Sequence, residues 1–95
     1  MHRDDPARMD RMREWLTDVA AELGVEPGVV LDHEEVLLAM VSAVAHGPSR
    51  PGAPLSAFLA GVAVGRGAAA SEVAGRVTAL AGEPGQVRAT SRQPR

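Results

Sequence analysis

A chain of 95 residues with a formal net charge of −2 and no cysteine has the length of one small domain, and it excludes disulfides, thiolate metal sites and cysteine nucleophiles. All ten basic residues are arginine, beside seventeen alanines and ten glycines. That is the mark of GC-rich coding rather than of a basic patch, and the charge balance offers no electrostatic hold for nucleic acid or an acidic membrane.

The opening "MHRDDPARMD" is charged and lacks the apolar stretch of a signal peptide. The first helix is legible from its ends. Asp4 or Asp5 can cap it, Pro6 suits its first turn and Gly24 suits a left-handed stop. Between them Met9, Met12, Leu16, Val19 and Leu23 recur at three- and four-residue steps, and Trp15 and Ala20 widen the stripe. Arg11, Glu14, Asp18 and Glu22 fall on the other side. Arg8, Arg11 and Arg13, mixed with Asp10 and Glu14, read as a solvated helix face.

"VEPG" turns the chain, and Asp32 with Glu35 stands at capping-box spacing. Val36, Leu37, Leu38, Met40, Val41 and Val44 then cover most of the circumference of a second, central helix that stops at His46-Gly47. This apolar run is half a membrane span, so a soluble cytoplasmic protein is expected. A third helix follows, with Leu55, Phe58, Leu59 and Val62 as its inward stripe. Ser71 can cap a fourth, whose inward positions are Val73, Val77 and Leu80 and whose stop is Gly82. From Glu83 onward a single aliphatic residue remains, too little to offset the ordering entropy, which predicts a disordered tail.

The expected fold is therefore all-α, a compact bundle of four short helices over residues 1–82 with a tail at 83–95. Ala57, Gly61 and Gly65 lie four apart on the third helix. Such a small-residue row serves close packing inside the bundle or a homodimer seam, and the sequence leaves both open.

Chemistry is sparse. His33 and His46 are thirteen residues apart, about 140° from a common helix face, and no converging set of metal ligands is expected. "GVAVGRG" lacks the Lys-Ser/Thr ending of a phosphate loop. Asp32 and Glu35 suit capping better than a catalytic pair. Trp15 and Phe58, the only aromatics, sit in apolar stripes and read as core. No catalytic residue, metal or cofactor is expected, and the chain reads as a non-enzyme.

The richest segment is the turn "VAHGPSRPGAPLS", residues 44–56. His46 lies by the negative end of its helix dipole, and Pro48 and Pro51 stiffen the connection. With Pro54 at the first position of the third helix, Ala53 becomes a cap residue with no side-chain oxygen. The amides of Leu55 and Ser56 then lack a local acceptor. Orphan amides beside Arg50, with His46, Ser49 and the Ser56 hydroxyl nearby, make His46, Ser49, Arg50, Leu55 and Ser56 a candidate surface for an anion or a partner protein.

"EWLTDVAAELGV" followed by "VAHGPSRPGAPLSAFLAGVAVG" resembles a small bacterial family of all-helical proteins of unknown function. The pattern is a Trp-Leu helix, a helix ending in Ala-His-Gly, and an Arg-Pro-x-Ala-Pro-Leu-Ser turn. Trp15, His46, Gly47, Arg50, Pro51, Ala53, Pro54, Leu55, Ser56, Phe58, Leu59 and Gly61 carry the match, which spans about residues 12 to 82. Members of that family stand alone or are fused behind a molybdenum cofactor guanylyltransferase. The resemblance therefore implies an accessory role in molybdopterin-guanine dinucleotide maturation, with that guanylyltransferase or another maturation protein as partner. It supplies no catalytic residue. The alternative is a structural homodimer, joined through Ala57, Gly61 and Gly65, with no small-molecule ligand.

Overall fold

The computed structural model describes residues 5–82, and these form five helices and no strand. They are α1 (Pro6–Leu23), α2 (Gly28–Leu31), α3 (Glu34–His46), α4 (Gly52–Gly65) and α5 (Ala70–Gly82). The all-α expectation holds. The count rises from four to five because the segment after "VEPG" winds into a single helical turn before the second long helix. The tail expected from residue 83 lies outside the described residues. Close contacts divide the chain after Glu34 into two units, residues 1–34 and 35–95.

In the first unit the ends of α1 follow local chemistry. The Asp5 carboxylate accepts the Arg8 amide at 2.8 Å, and Pro6 fills the first helical position, where its missing donor goes unneeded. Gly24 closes the helix at φ 70°. Its amide donates to Ala21 and that of Val25 to Ala20, at 3.2 and 2.8 Å. This is the paired closure that needs a left-handed residue.

The inward face of α1 is narrower than the stripe suggested. Ala20 is buried and Met9, Met12, Leu16 and Val19 are half-buried, but Leu23 is exposed and Trp15 is 64% exposed. The Asp32–Glu35 capping box does not form. Asp32 instead closes α2, its amide donating to Gly28 at 3.1 Å, and α3 starts at Glu34.

Nor is Arg13 simply part of a solvated face. Its Nε and Nη2 donate to the two Glu34 oxygens at 2.9 and 2.7 Å, while Nη1 reaches Asp10 at 3.0 Å. Two parallel charge-assisted bonds fix both distance and angle, so Arg13 ties residue 34 to α1. Those hydrogen bonds, helped by the Arg13 charge and opposed by partial desolvation, hold the Glu34 carboxyl below its ordinary 4.5. A lowered carboxylate contributes stability that is present above 4.5 and is lost as pH falls through the lowered value. Glu34→Gln should therefore be less stable than the parent at neutral pH and lose less stability on acidification. Urea melts at neutral pH and in the acid range check this, and parallel curves for the two proteins would disprove it.

The second unit is built on alanine. Met40 (1% exposed), Ala60 and Ala74 (0%) form its buried centre, with Val36, Leu37, Val41, Ala57, Val73 and Val77 packed around them. Met40 is the one large side chain that is fully buried among the described residues. α4 packs along α5 with its small residues inward, because alanine at a helix contact lets two backbones approach most closely. Val73 and Val77 face the core as expected, whereas Leu80 and Leu38 are exposed.

The largest departure is in α4. Its expected inward stripe is its outward one: Leu55, Phe58 and Leu59 are 68%, 71% and 67% exposed, and Val62 is exposed too. Ala53 and Ala60, which are buried, stand about 180° around the helix from that stripe at ~100° per residue.

Candidate functional site

α3 ends in a side chain that folds back on its own helix. His46 Nδ1 donates to the Ser42 carbonyl at 2.9 Å, with the Ser42 hydroxyl at 3.3 Å. Ser42 lies four residues before His46, so the helical ladder already gives its carbonyl the His46 amide, and the imidazole adds a second donor that pins the ring along the last turn.

Beyond it the chain folds tightly under Val44, whose carbonyl accepts the amides of Gly47 and Ser49 at 3.3 and 3.1 Å. Gly47 has no left-handed φ, so a left-handed stop does not account for it. A Cβ there would stand 2.7 Å from the Ala43 carbonyl oxygen and 3.1 Å from that of Ala81. Only glycine lets the end of α3 and the end of α5 come this close.

The start of α4 corrects the expectation of a missing cap. The helix begins at Gly52, not at Pro54. Of the four leading positions, Pro51 and Pro54 carry no N–H. The Gly52 amide donates to the Ser49 hydroxyl at 3.0 Å and the Ala53 amide to the Arg50 carbonyl at 3.2 Å. Leu55 and Ser56 are the fourth and fifth helical residues, where the intrahelical ladder reaches back to the carbonyls of Pro51 and Gly52. Their amides are spent inside the helix. The prolines, Ser49 and Arg50 thus finish the helix N-terminus, and no orphan amide faces outward for an anion.

The side chains of the turn divide accordingly. Ser49 and His46 are engaged within the fold. Ser56 lines a shallow, almost wholly apolar groove of about 180 Å³ with Val44, Pro48, Val77, Leu80 and Ala81. Arg50 and Leu55 project outward: both are exposed, and the Arg50 guanidinium has no ion pair among the described residues. Among the described residues no three of His, Asp or Glu stand together as metal ligands, and no helix is long and apolar enough to cross a membrane.

What the sequence reading missed is the surface that continues from Leu55. Fifteen residues, Pro51 to Gly65, carry no charge, and α4 buries only Ala53 and Ala60. The side that faces away carries Leu55, Phe58, Leu59 and Val62 in one row-work, with Arg66 continuing it one turn later. Gly61 and Gly65 flank this face, and a Cβ at either would meet nothing within 4 Å. A helix apolar all round belongs in an interior, and a contiguous exposed apolar patch marks a contact surface. A signal for it existed: a helix with no polar face cannot be oriented by periodicity, and its alanines compete with its leucines for the inside.

A family model described as a domain of unknown function (DUF6457) matches residues 7–91. No curated protein and no solved structure matches the chain. The chain belongs to the DUF6457 family, whose matched span takes in all of α2 to α5 and nearly all of α1.

Proposed function

We propose that this member of the DUF6457 family is a non-enzymatic interaction module of the cytoplasm that presents the outward face of α4 to another polypeptide. The observation that carries the reading is Phe58, 71% exposed at the centre of an uncharged helix. Leu55 and Leu59 supply the apolar contact around it. Arg50, just ahead of α4, supplies a charge for a partner carboxylate at the rim. The His46–Ser56 turn has a supporting part, since its closed cap holds the first turn of α4 in place. The resemblance of the Trp-Leu helix and the Arg-Pro-x-Ala-Pro-Leu-Ser turn supports molybdenum cofactor maturation as the setting, with the guanylyltransferase as a partner to test.

The test starts with Phe58. A surface residue away from caps and cavities changes stability by roughly ±0.5 kcal/mol or less, so Phe58→Asp should remain folded, with a helical circular dichroism spectrum and near-parental melting. The same variant should lose association with any polypeptide that the parent binds, the purified guanylyltransferase included, in calorimetric titration. Unfolding of Phe58→Asp would show that the face is core. A folded variant that binds its partner as tightly as the parent would remove α4 from the contact.

A further inference from the structure

We infer that the polypeptide covering α4 is a second copy of this chain, an inference that rests on the exposed-face reading above. The face is complementary to itself. Residues four apart line up as rows on a helix surface. Phe58 and Val62 make a raised row, and beside it Gly61 and Gly65 make a sunken one. Nothing occupies the space above either glycine within 4 Å of a Cβ position. A two-fold axis sets the raised row of one copy into the sunken row of the other, and the symmetry makes both contacts at once. Glycine is the poorest helix former except proline, and at Gly61 and Gly65 neither φ nor a neighbour within the chain requires it. A closely approaching second backbone does.

Charge agrees with this pairing. From Pro51 to Gly65 there is no ionisable side chain, so two α4 helices meet without desolvating a charge. Crossing at the ~50° typical of four-apart rows splays the helix ends and carries the two Arg66 side chains away from each other.

Area sets the strength. The four large side chains expose an apolar patch on the order of 400 Å², about half of the ~800 Å² that each partner brings to a standard interface. The dimer is therefore reversible, with monomer and dimer exchanging in the micromolar range or above.

Sedimentation equilibrium of the full chain from micromolar to millimolar concentration tests the inference. The parent should shift from monomer to dimer. Gly61→Leu, which fills the sunken row but meets open space within the chain, should weaken the dimer by roughly tenfold or more. Gly61→Ala should melt higher than the parent when both are dilute monomers, and still dimerise more weakly. Opposite signs of fold stability and association in one variant are not expected of a residue that only packs inside its own chain.

A parent that stays monomeric throughout overturns the inference, as does a Gly61→Leu dimer as tight as the parent's. A parent that is monomeric yet binds the guanylyltransferase through Phe58 overturns the second copy while leaving the exposed-face reading intact. Unfolding of Phe58→Asp overturns both.

Discussion

Met40→Ala should be the most destabilising truncation in the protein, costing about 2–5 kcal/mol. Met40 is 1% exposed and stands at the centre of a cluster whose other buried members, Ala60 and Ala74, are already small. Its long side chain fills the space that three helices leave between short neighbours. Removing it leaves a cavity that alanines cannot close, because they have no side-chain length with which to move in. A domain this small shifts its melting temperature by about 4–8 °C per kcal/mol, and its total stability is only ~5–10 kcal/mol. The variant should therefore melt at least ten degrees or so lower, or fail to fold. Phe58→Ala, which removes a larger side chain from a solvent-facing position, should melt close to the parent. Thermal or urea unfolding of the two variants side by side decides the matter. The reverse ranking would mean that α4 faces the other way.

Gly47→Ala should be the most damaging change that adds a single carbon. The new Cβ would lie 2.7 Å from one backbone oxygen, on Ala43, and 3.1 Å from another, on Ala81. Neither oxygen belongs to a flexible side chain, so relief requires moving the end of α3, the end of α5 or the turn between α3 and α4. Forcing extra volume into a packed site costs about 1–3 kcal/mol. Helix propensity alone favours Ala over Gly, so the sign of the effect distinguishes close approach from a generic glycine. Gly61→Ala is the matched control: its Cβ meets nothing within 4 Å, and it should gain about 0.5–1 kcal/mol as a monomer. If Gly47→Ala melts at or above the parent, the tight junction of Ala43, Gly47 and Ala81 is not a constraint on the fold.

These two sites, with the α4 face, show why the turn at residues 44–56 is so heavily specified. Gly47 permits the close approach of α5. Pro51 and Pro54 delete two donors from the start of α4, and Ser49 and the Arg50 carbonyl satisfy the next two. A helix start closed in this way needs no ligand. It holds the first turn of a helix whose outward side is unusually apolar, with Leu55 on that side and the exposed Arg50 just ahead of the helix.

The helix ends were legible without coordinates because their chemistry is local. A carboxylate three residues before an amide, a proline at the first position and a glycine at the left-handed stop act within about four residues. Asp5, Pro6 and Gly24 take the roles that their spacing suggests. Fold class followed from the same signals. The start of α4 was misplaced by two residues because its cap is not a side chain just ahead of it. The cap is a Ser49 hydroxyl three residues away, combined with two missing donors. Direction was harder still. Every side of α4 is apolar, so the sequence by itself determined that a helix stands there but not which way it faces. Tertiary structure chose the alanines, since Ala60 lets α4 settle against Ala74 at a distance that Phe58 or Leu59 would prevent. The pairing of Arg13 with Glu34, 21 residues apart, depended likewise on where the chain returns. Local chemistry writes helix boundaries into the sequence, whereas the inside of a helix is a property of the neighbour it packs against.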